Sequence, residues 1–141
     1  MSIQWKTVYG LNHLLVSNDG QVKAKARLCR RKDGGKGDSQ YRNERVIIPA
    51  DKQGYLWVNS TKDGQRKFIS VHRMIVEAFI RPLQGTEEIN HINGKRNDNR
   101  LENLEIVPDK ATHNRLTWER VFKEHYDAGY AQALKDNGLF K

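Results

Sequence analysis

The apolar positions of this chain change their period at residue 70. Before it, they fall in short alternating runs broken by Gly, Pro, Asn and Asp, the pattern of half-buried strands. Residues 13–17 read as one strand, Asn18-Asp19-Gly20 as a turn, and residues 22–28 as a strand with a cationic outer face of Lys23, Lys25 and Arg27. Residues 46–70 predict a three-stranded meander: 46–49, a turn at 51–54, 55–59, a turn at 62–64, and 66–70. Tyr55 and Trp57 share one face of its middle strand and are expected in the core. At 71–80 the spacing turns helical, with Met74, Ile75, Ala78 and Phe79 as the apolar stripe. His72, at its start, reads as a structural or capping residue, and residues 81–85 as a linker.

Residues 88–107 then predict strand, polar turn, strand. Ile89 and Ile92 bracket His91, and Asn93-Gly94 is a turn dipeptide because both residues tolerate positive φ. Pro108-Asp109 opens a helix with Asp109 as N-cap, carrying His113 and Asn114. Leu116, Val121, Phe122, Tyr126, Tyr130 and Leu134 continue its apolar spacing, Gly129 weakens its middle, and the chain frays after 137–138. The result is a ββα unit with one histidine on the first strand and one on the helix.

Charge sharpens this picture. The 141 residues carry a net charge of +8 and 37% hydrophobic residues, with a pI of about 9.7 and a mean hydropathy of −0.83. A modest core, in one compact domain or two very small ones, and a polyanionic partner are expected. Residues 29–45 concentrate Arg30, Arg31, Lys32, Lys36, Arg42 and Arg45 among glycines, predicting an unpacked basic loop. In such a loop backbone phosphates find cations without a fixed scaffold. The single cysteine, Cys29, excludes an internal disulfide and a zinc site on cysteine pairs. No apolar run reaches the roughly 18 residues of a membrane span, and no signal-peptide core is evident, so an intracellular location is expected.

A neutral imidazole can take a proton from water near pH 7, and a metal ion can stabilise charge on a phosphate. His91 within this hairpin suits phosphodiester hydrolysis. Asn90-His91-Ile92-Asn93-Gly94, followed by Asn97-Asp98-Asn99-Arg100-Leu101-Glu102-Asn103-Leu104, resembles the HNH endonuclease motif of phage and intron-encoded homing endonucleases. Residues 71–80 resemble the helix preceding that motif. Residues 5–8 with 15–22 resemble a small module that often precedes such nuclease domains. The resemblance spans roughly residues 3–28 and 70–115.

The resemblance implies an α+β fold: a small N-terminal antiparallel β region, a ββα-metal (HNH, His-Me finger) nuclease unit and a C-terminal helix. The expected divisions are 1–70 for a β-rich DNA-binding region, 71–117 for the nuclease core, and 118–141 for the C-terminal helix and tail. His91 is the implied general base, and Asn99 fixes the loop that orients it. Asn90 occupies a metal-ligand position that is often Asp in the family; an amide oxygen binds a hard cation without adding charge. His113 is the expected helix-borne ligand, although the commonest spacing falls on Thr112, and Asn114 is the other candidate. The implied ion is Mg2+ or Mn2+, while an imidazole ligand also suits Ni2+ or Zn2+.

Double-stranded DNA is the expected partner of a monomer or homodimer. Phosphate contacts are expected from Lys23, Lys25, Arg27, Arg30, Arg31, Lys32, Lys36, Arg42, Arg73 and Arg100. The alternative is a non-catalytic DNA-binding regulator that keeps the fold; Asn90 and the offset His113 favour it. An RNA-binding role is allowed by charge but leaves the His-Asn-His set without a use.

Overall fold

The computed structural model describes residues 2–30, 39–62 and 65–125. The first two strands, β1 (Trp5–Val8) and β2 (Leu11–Ser17), form an antiparallel hairpin, and β3 (Val22–Ala24) follows the expected turn. Val22 and Ala24 point inward while Lys23 lies between them, which is the period-2 signal read from the sequence. The expected strand 22–28 is split, however. Its second half, β4 (Arg27–Arg30), pairs with β5 (Ser39–Arg42) as a separate two-stranded ribbon. An unpacked loop over all of 29–45 is thus corrected at its two ends; residues 31–38, with Arg31, Lys32 and Lys36, lie outside the described residues. Backbone pairing needs no apolar face, so hydropathy carried no sign of this ribbon. Leu28 and Tyr41, partners across it, are both exposed.

The next strand, β6 (Arg45–Ile47), returns to β3 and completes a four-stranded antiparallel sheet ordered β1-β2-β3-β6. The meander therefore begins later than predicted. It comprises β7 (Ala50–Lys52), β8 (Tyr55–Lys62) and β9 (Gln65–Ser70). Pro49, which has no N–H to give a ladder, separates the strands of the two sheets. The turn narrows to Gln53-Gly54, with φ of 56° and 86°, the positive pair that suits the twist of a tight hairpin.

Within β8, Leu56, Val58 and Ser60 face the core. Tyr55 and Trp57 occupy the opposite face and are only half-buried, correcting the expectation that they are core. His13 and Ser60 hydrogen-bond at 2.8 Å between the two sheets.

Helix α1 (Val71–Phe79) packs against strands of both sheets and against the hairpin that follows. Its Val71, Met74, Ile75 and Val76 join Val8, Leu14, Val16, Val22, Val58, Ile89 and Leu104 in one apolar cluster. The helix ends before Arg81-Pro82, where the proline disfavours helical geometry in the residue ahead of it. The hairpin consists of β10 (Glu88–His91) and β11 (Leu104–Val107), joined by a long polar connection with a 3-10 turn at Leu101–Asn103. Ile92 lies beyond the end of β10 and is 50% exposed, so it does not bracket His91 from the core as expected. Helix α2 (Lys110–His125) closes the described chain and runs unbroken past residue 117. Trp118 and Phe122 stack on it at 5.8 Å. Tyr126, Gly129, Tyr130, Leu134 and the tail lie outside the described residues.

Because Ile75 is fully buried where both sheets and the hairpin meet, Ile75→Ala is expected to cost about 2–5 kcal/mol of stability in urea unfolding. The half-exposed Ile92, changed to Ala, is expected to stay within about 0.5 kcal/mol of the parent.

Candidate functional site

The long connection of the β10–β11 hairpin is built from side-chain amides. The backbone N–H of Asn93 donates to Asn103 Oδ1, and Asn103 Nδ2 donates to both Asn93 Oδ1 and the Asp98 carbonyl, all at 2.9 Å. Asn93 Nδ2 donates to Asp98 Oδ2 at 2.8 Å, and Asn93 Oδ1 also accepts from the Lys95 N–H. Arg100 and Asn93, hydrogen-bonded to the Asp98 carboxyl, hold it well below the usual carboxylate range. Asn, Asp and Gly suit this segment because their short side chains satisfy local backbone groups that neither helix nor sheet satisfies. Asn97 has no such bond among the described residues, whereas Asn103 organises the loop.

This loop delivers Asn99 onto the histidine. Asn99 is 3% exposed and His91 5%, and the Asn99 Oδ1 lies 2.9 Å from His91 Nε2. A carbonyl oxygen can only accept, so Nε2 carries the proton and Nδ1 is left as the basic nitrogen. Burial pushes the His91 pKa down, and the bond to Asn99 partly opposes that shift. The imidazole is thereby neutral near pH 7.

His72 stands beside it. The His72 ring meets the His91 ring edge-on at 5.0 Å, and the Tyr55 ring lies 5.7 Å from the first and 6.1 Å from the second. The His72 Nδ1 is buried and has no hydrogen-bond partner among the described residues. Burial, reinforced by His91, His113 and Arg73, pushes the His72 pKa down to about 4. Its ring packs between Tyr55 of β8 and His91 of β10, and among the described residues its Nδ1 caps no backbone group of α1.

A cleft of about 360 Å3 opens beside these rings and is lined by His91, Asn90, His113, Asn114, Arg96 and Arg120, among others. The residues of the expected His-Asn-His set thus share one cavity wall or support it. Asn90 donates its Nδ2 to Glu105 Oε1 at 2.7 Å, leaving its amide oxygen without a donor among the described residues. His113 Nδ1 lies 2.9 Å from Glu88 Oε2, an arrangement that fixes the ring and leaves Nε2 as the second nitrogen. Thr112 is drawn away: its N–H donates to Asp109 Oδ1 at 2.7 Å, the N-cap predicted for this helix.

Four participants escaped the sequence reading. Glu88 and Glu105 anchor the two candidate ligands, and neither stands in a periodic pattern that would single it out. Arg96 lies over the Tyr55 ring at 4.8 Å and donates to the Gln53 carbonyl. Arg120 packs against Gly94 in the space a Cβ would need. Its signal was available, since His113, Thr117 and Arg120 recur at i, i+4 and i+7 on one helical face and all three line the cleft.

The other expected cations diverge. Lys23 pairs with Glu44 at 2.9 Å and lies over Trp5; Arg73 pairs with Glu77; Arg100 pairs with Asp98 and Glu102. Lys25 donates to the Thr7 hydroxyl. Arg27 and Arg42 are exposed and lie directly opposite each other on the β4–β5 ribbon. Arg30 continues that strand, its side chain outside the described residues.

The folded state keeps His72 neutral, whereas the unfolded chain takes up that proton below about pH 6.5. Stability is therefore expected to fall as pH drops from 6.5 towards 4. Measured as melting temperature against pH, His72→Phe is expected to flatten that slope; an unchanged slope would place the linkage elsewhere.

Comparison with known proteins places these observations. The model of the HNH endonuclease family matches residues 70–114. Two uncharacterized HNH endonucleases of Acanthamoeba polyphaga mimivirus are 26% identical over 125 residues and 28% identical over 108 residues. These alignments cover 84% and 73% of this chain, but only 33% and 23% of the relatives' lengths. A solved structure of DNA binding and cleavage by the HNH homing endonuclease I-HmuI superposes with a TM-score of 0.61 at 21% identity. It covers 94% of this chain and 66% of that one, and the likeness is one of fold. The unit at residues 70–114, with its hairpin, its preceding helix and the start of α2, is thus what this chain shares with the HNH endonuclease family model, and the fold around it is similar to that of an HNH homing endonuclease.

Proposed function

We propose that this chain is a metal-dependent endonuclease that hydrolyses phosphodiester bonds of double-stranded DNA, with His91 as the general base. The observation that carries the reading is the buried Asn99–His91 hydrogen bond on the wall of the cleft that Asn90 and His113 also line. In the step proposed, a water oxygen bonds to phosphorus while its proton passes to Nδ1 of His91. A P–O bond of the backbone breaks, and the leaving oxygen takes a proton from solvent. Asn99 holds the imidazole in the tautomer this requires, and burial keeps it unprotonated.

The donor chemistry fits a divalent cation such as Mg2+ or Mn2+. The Asn90 amide oxygen and the His113 Nε2 are each left over after the rest of the side chain is anchored by Glu105 or Glu88. When bound, such an ion supplies electrostatic stabilisation of charge developing on the scissile phosphate and the leaving oxygen. Arg96 and Arg120 have no carboxylate partner among the described residues and hold the phosphate in the cleft. The exposed Arg27 and Arg42 add phosphate contacts on the β4–β5 ribbon.

One observation favours a second reading, a DNA-binding regulator without catalysis. Among the described residues no group of three His, Cys, Asp or Glu side chains is placed to hold a metal ion. Relaxation of supercoiled plasmid, followed in Mn2+ or Mg2+ and again in EDTA, separates the two. Metal-dependent nicking is expected, and tight DNA binding without nicking would favour the regulator. His91→Ala is expected to abolish nicking while retaining DNA affinity; nicking at the parent rate would remove His91 from the mechanism. Arg120→Ala is expected to slow nicking by about 10²-fold, the scale of losing one oriented charge at a reacting centre.

A further inference from the structure

We propose that the Asn18-Asp19-Gly20 turn of the N-terminal sheet positions the His91 base, acting through the backbone of Asn99. This inference rests on the assignment of His91 as the base.

The contact is between parts of the chain about eighty residues apart in sequence. The Leu101 N–H donates to the Asn18 carbonyl at 2.9 Å. A Cβ built on Gly20 would stand 3.3 Å from the Asn99 carbonyl carbon, 3.4 Å from its oxygen and 3.6 Å from the Arg100 nitrogen. The Asn99–Arg100 peptide therefore lies close against the turn, so that a Cβ at position 20 would press on it and shift it by a few tenths of an ångström. The φ of Gly20, +95°, is also one that residues with a Cβ rarely adopt.

The turn itself is braced. The Asn18 N–H donates to the Gln4 carbonyl at 3.1 Å, and the Asn18 Oδ1 accepts from the Gln4 N–H at 3.0 Å. The fully buried Ser17 hydroxyl donates to the Asp19 carboxylate and accepts from the Gln21 N–H at 2.9 Å. Gln21 Nε2 donates to the other Asp19 oxygen at 2.7 Å. A shelf tied in this way does not yield when the loop above it is pushed.

Above the shelf, Asn99 has little else to hold it. Its Oδ1 accepts from His91, while its Nδ2 is buried with no partner among the described residues. The direction of the Asn99 side chain is thus set by where its backbone sits. A displacement of a few tenths of an ångström at that backbone lengthens or bends the bond at 2.9 Å that fixes the imidazole. Hydrogen bonds of this kind weaken steeply with distance and angle, and a misplaced base loses rate before it loses substrate binding. The N-terminal sheet is accordingly part of the machinery that sets the rate, beyond any role in holding DNA.

Two alanine variants separate positioning from loss of fold. Gly20→Ala places a Cβ against Asn99. Gly10→Ala meets a similar backbone conformation, φ +74°, but its Cβ meets nothing within 4 Å. Both are expected to lower the melting temperature. Only Gly20→Ala is expected to lower the kcat of plasmid nicking in Mn2+, by about tenfold, with KM for DNA unchanged and with the His91 ring nitrogen resonances shifted in 15N NMR. If Gly20→Ala and Gly10→Ala share the same kcat and the same His91 ring shifts, the inference is wrong. Should the parent protein not nick DNA at all, the assignment of His91 as the base fails, and the ring resonances still decide whether the turn positions the imidazole. If Gly20→Ala does not fold, Asp19→Ala, which loosens the brace without adding a Cβ, is expected to shift the same resonances; no shift would overturn the inference.

Discussion

The hydrogen bond from His91 Nε2 to Asn99 Oδ1 does three things at once. It selects the ring tautomer, sets the direction of the imidazole, and compensates one polar nitrogen for being taken out of water. All three follow from burial, because in solvent water would compete for both partners and the ring would rotate. The surrounding structure keeps that pair dry and still. The apolar cluster around α1 supports β10 from one side, His72 and Tyr55 press on the ring, and the N-terminal turn lies under Asn99.

The polar connection between β10 and β11 shows how a loop can be as determined as a core. Asn93, Asp98 and Asn103 satisfy one another and the backbone in a closed set of hydrogen bonds. Asn103 is the buried member, and losing Asn93 leaves part of its amide short of a partner, which is costlier than losing an isolated surface bond. The Asn99 Nδ2 and the His72 Nδ1 are buried without partners among the described residues, and both residues lie next to His91. Unsatisfied groups gathered around one ring indicate local stability given up beside the proposed base.

The charge is less evenly available than +8 suggests. Lys23, Arg73, Arg81, Arg100 and Arg115 each face a carboxylate. Exposed pairs of this sort add little to stability, but they withdraw those cations from simple phosphate contact. Among the cations without an acidic partner in the described residues are Arg96 and Arg120 in the cleft and Arg27 and Arg42 on the β4–β5 ribbon. Two arginines directly across a ribbon repel each other, an arrangement that suits a surface meant to meet a polyanion.

By itself the sequence determined what depends on local pattern. It specified α1 from its 3.6-residue stripe, the N-cap Asp109 ahead of α2, the turn at 18–20, and the hairpin around the Asn-His-Ile-Asn-Gly run. The candidate base, its asparagine and the two candidate ligands were legible for the same reason: their residue types and spacing sit within one supersecondary unit. Only the tertiary structure decided what depends on distant partners. Whether residues 46–47 or 50–52 begin the meander turned on which strand lay beside them. The inward face of β8 was set by where the core formed, which moved Tyr55 and Trp57 to the histidines. The carboxylates of Glu88 and Glu105, the Arg120 that packs on Gly94, and the turn beneath Asn99 carry no periodic signal towards one another. Hydropathy reports whether a side chain is buried, whereas the identity of its neighbour is settled only when the whole chain has packed.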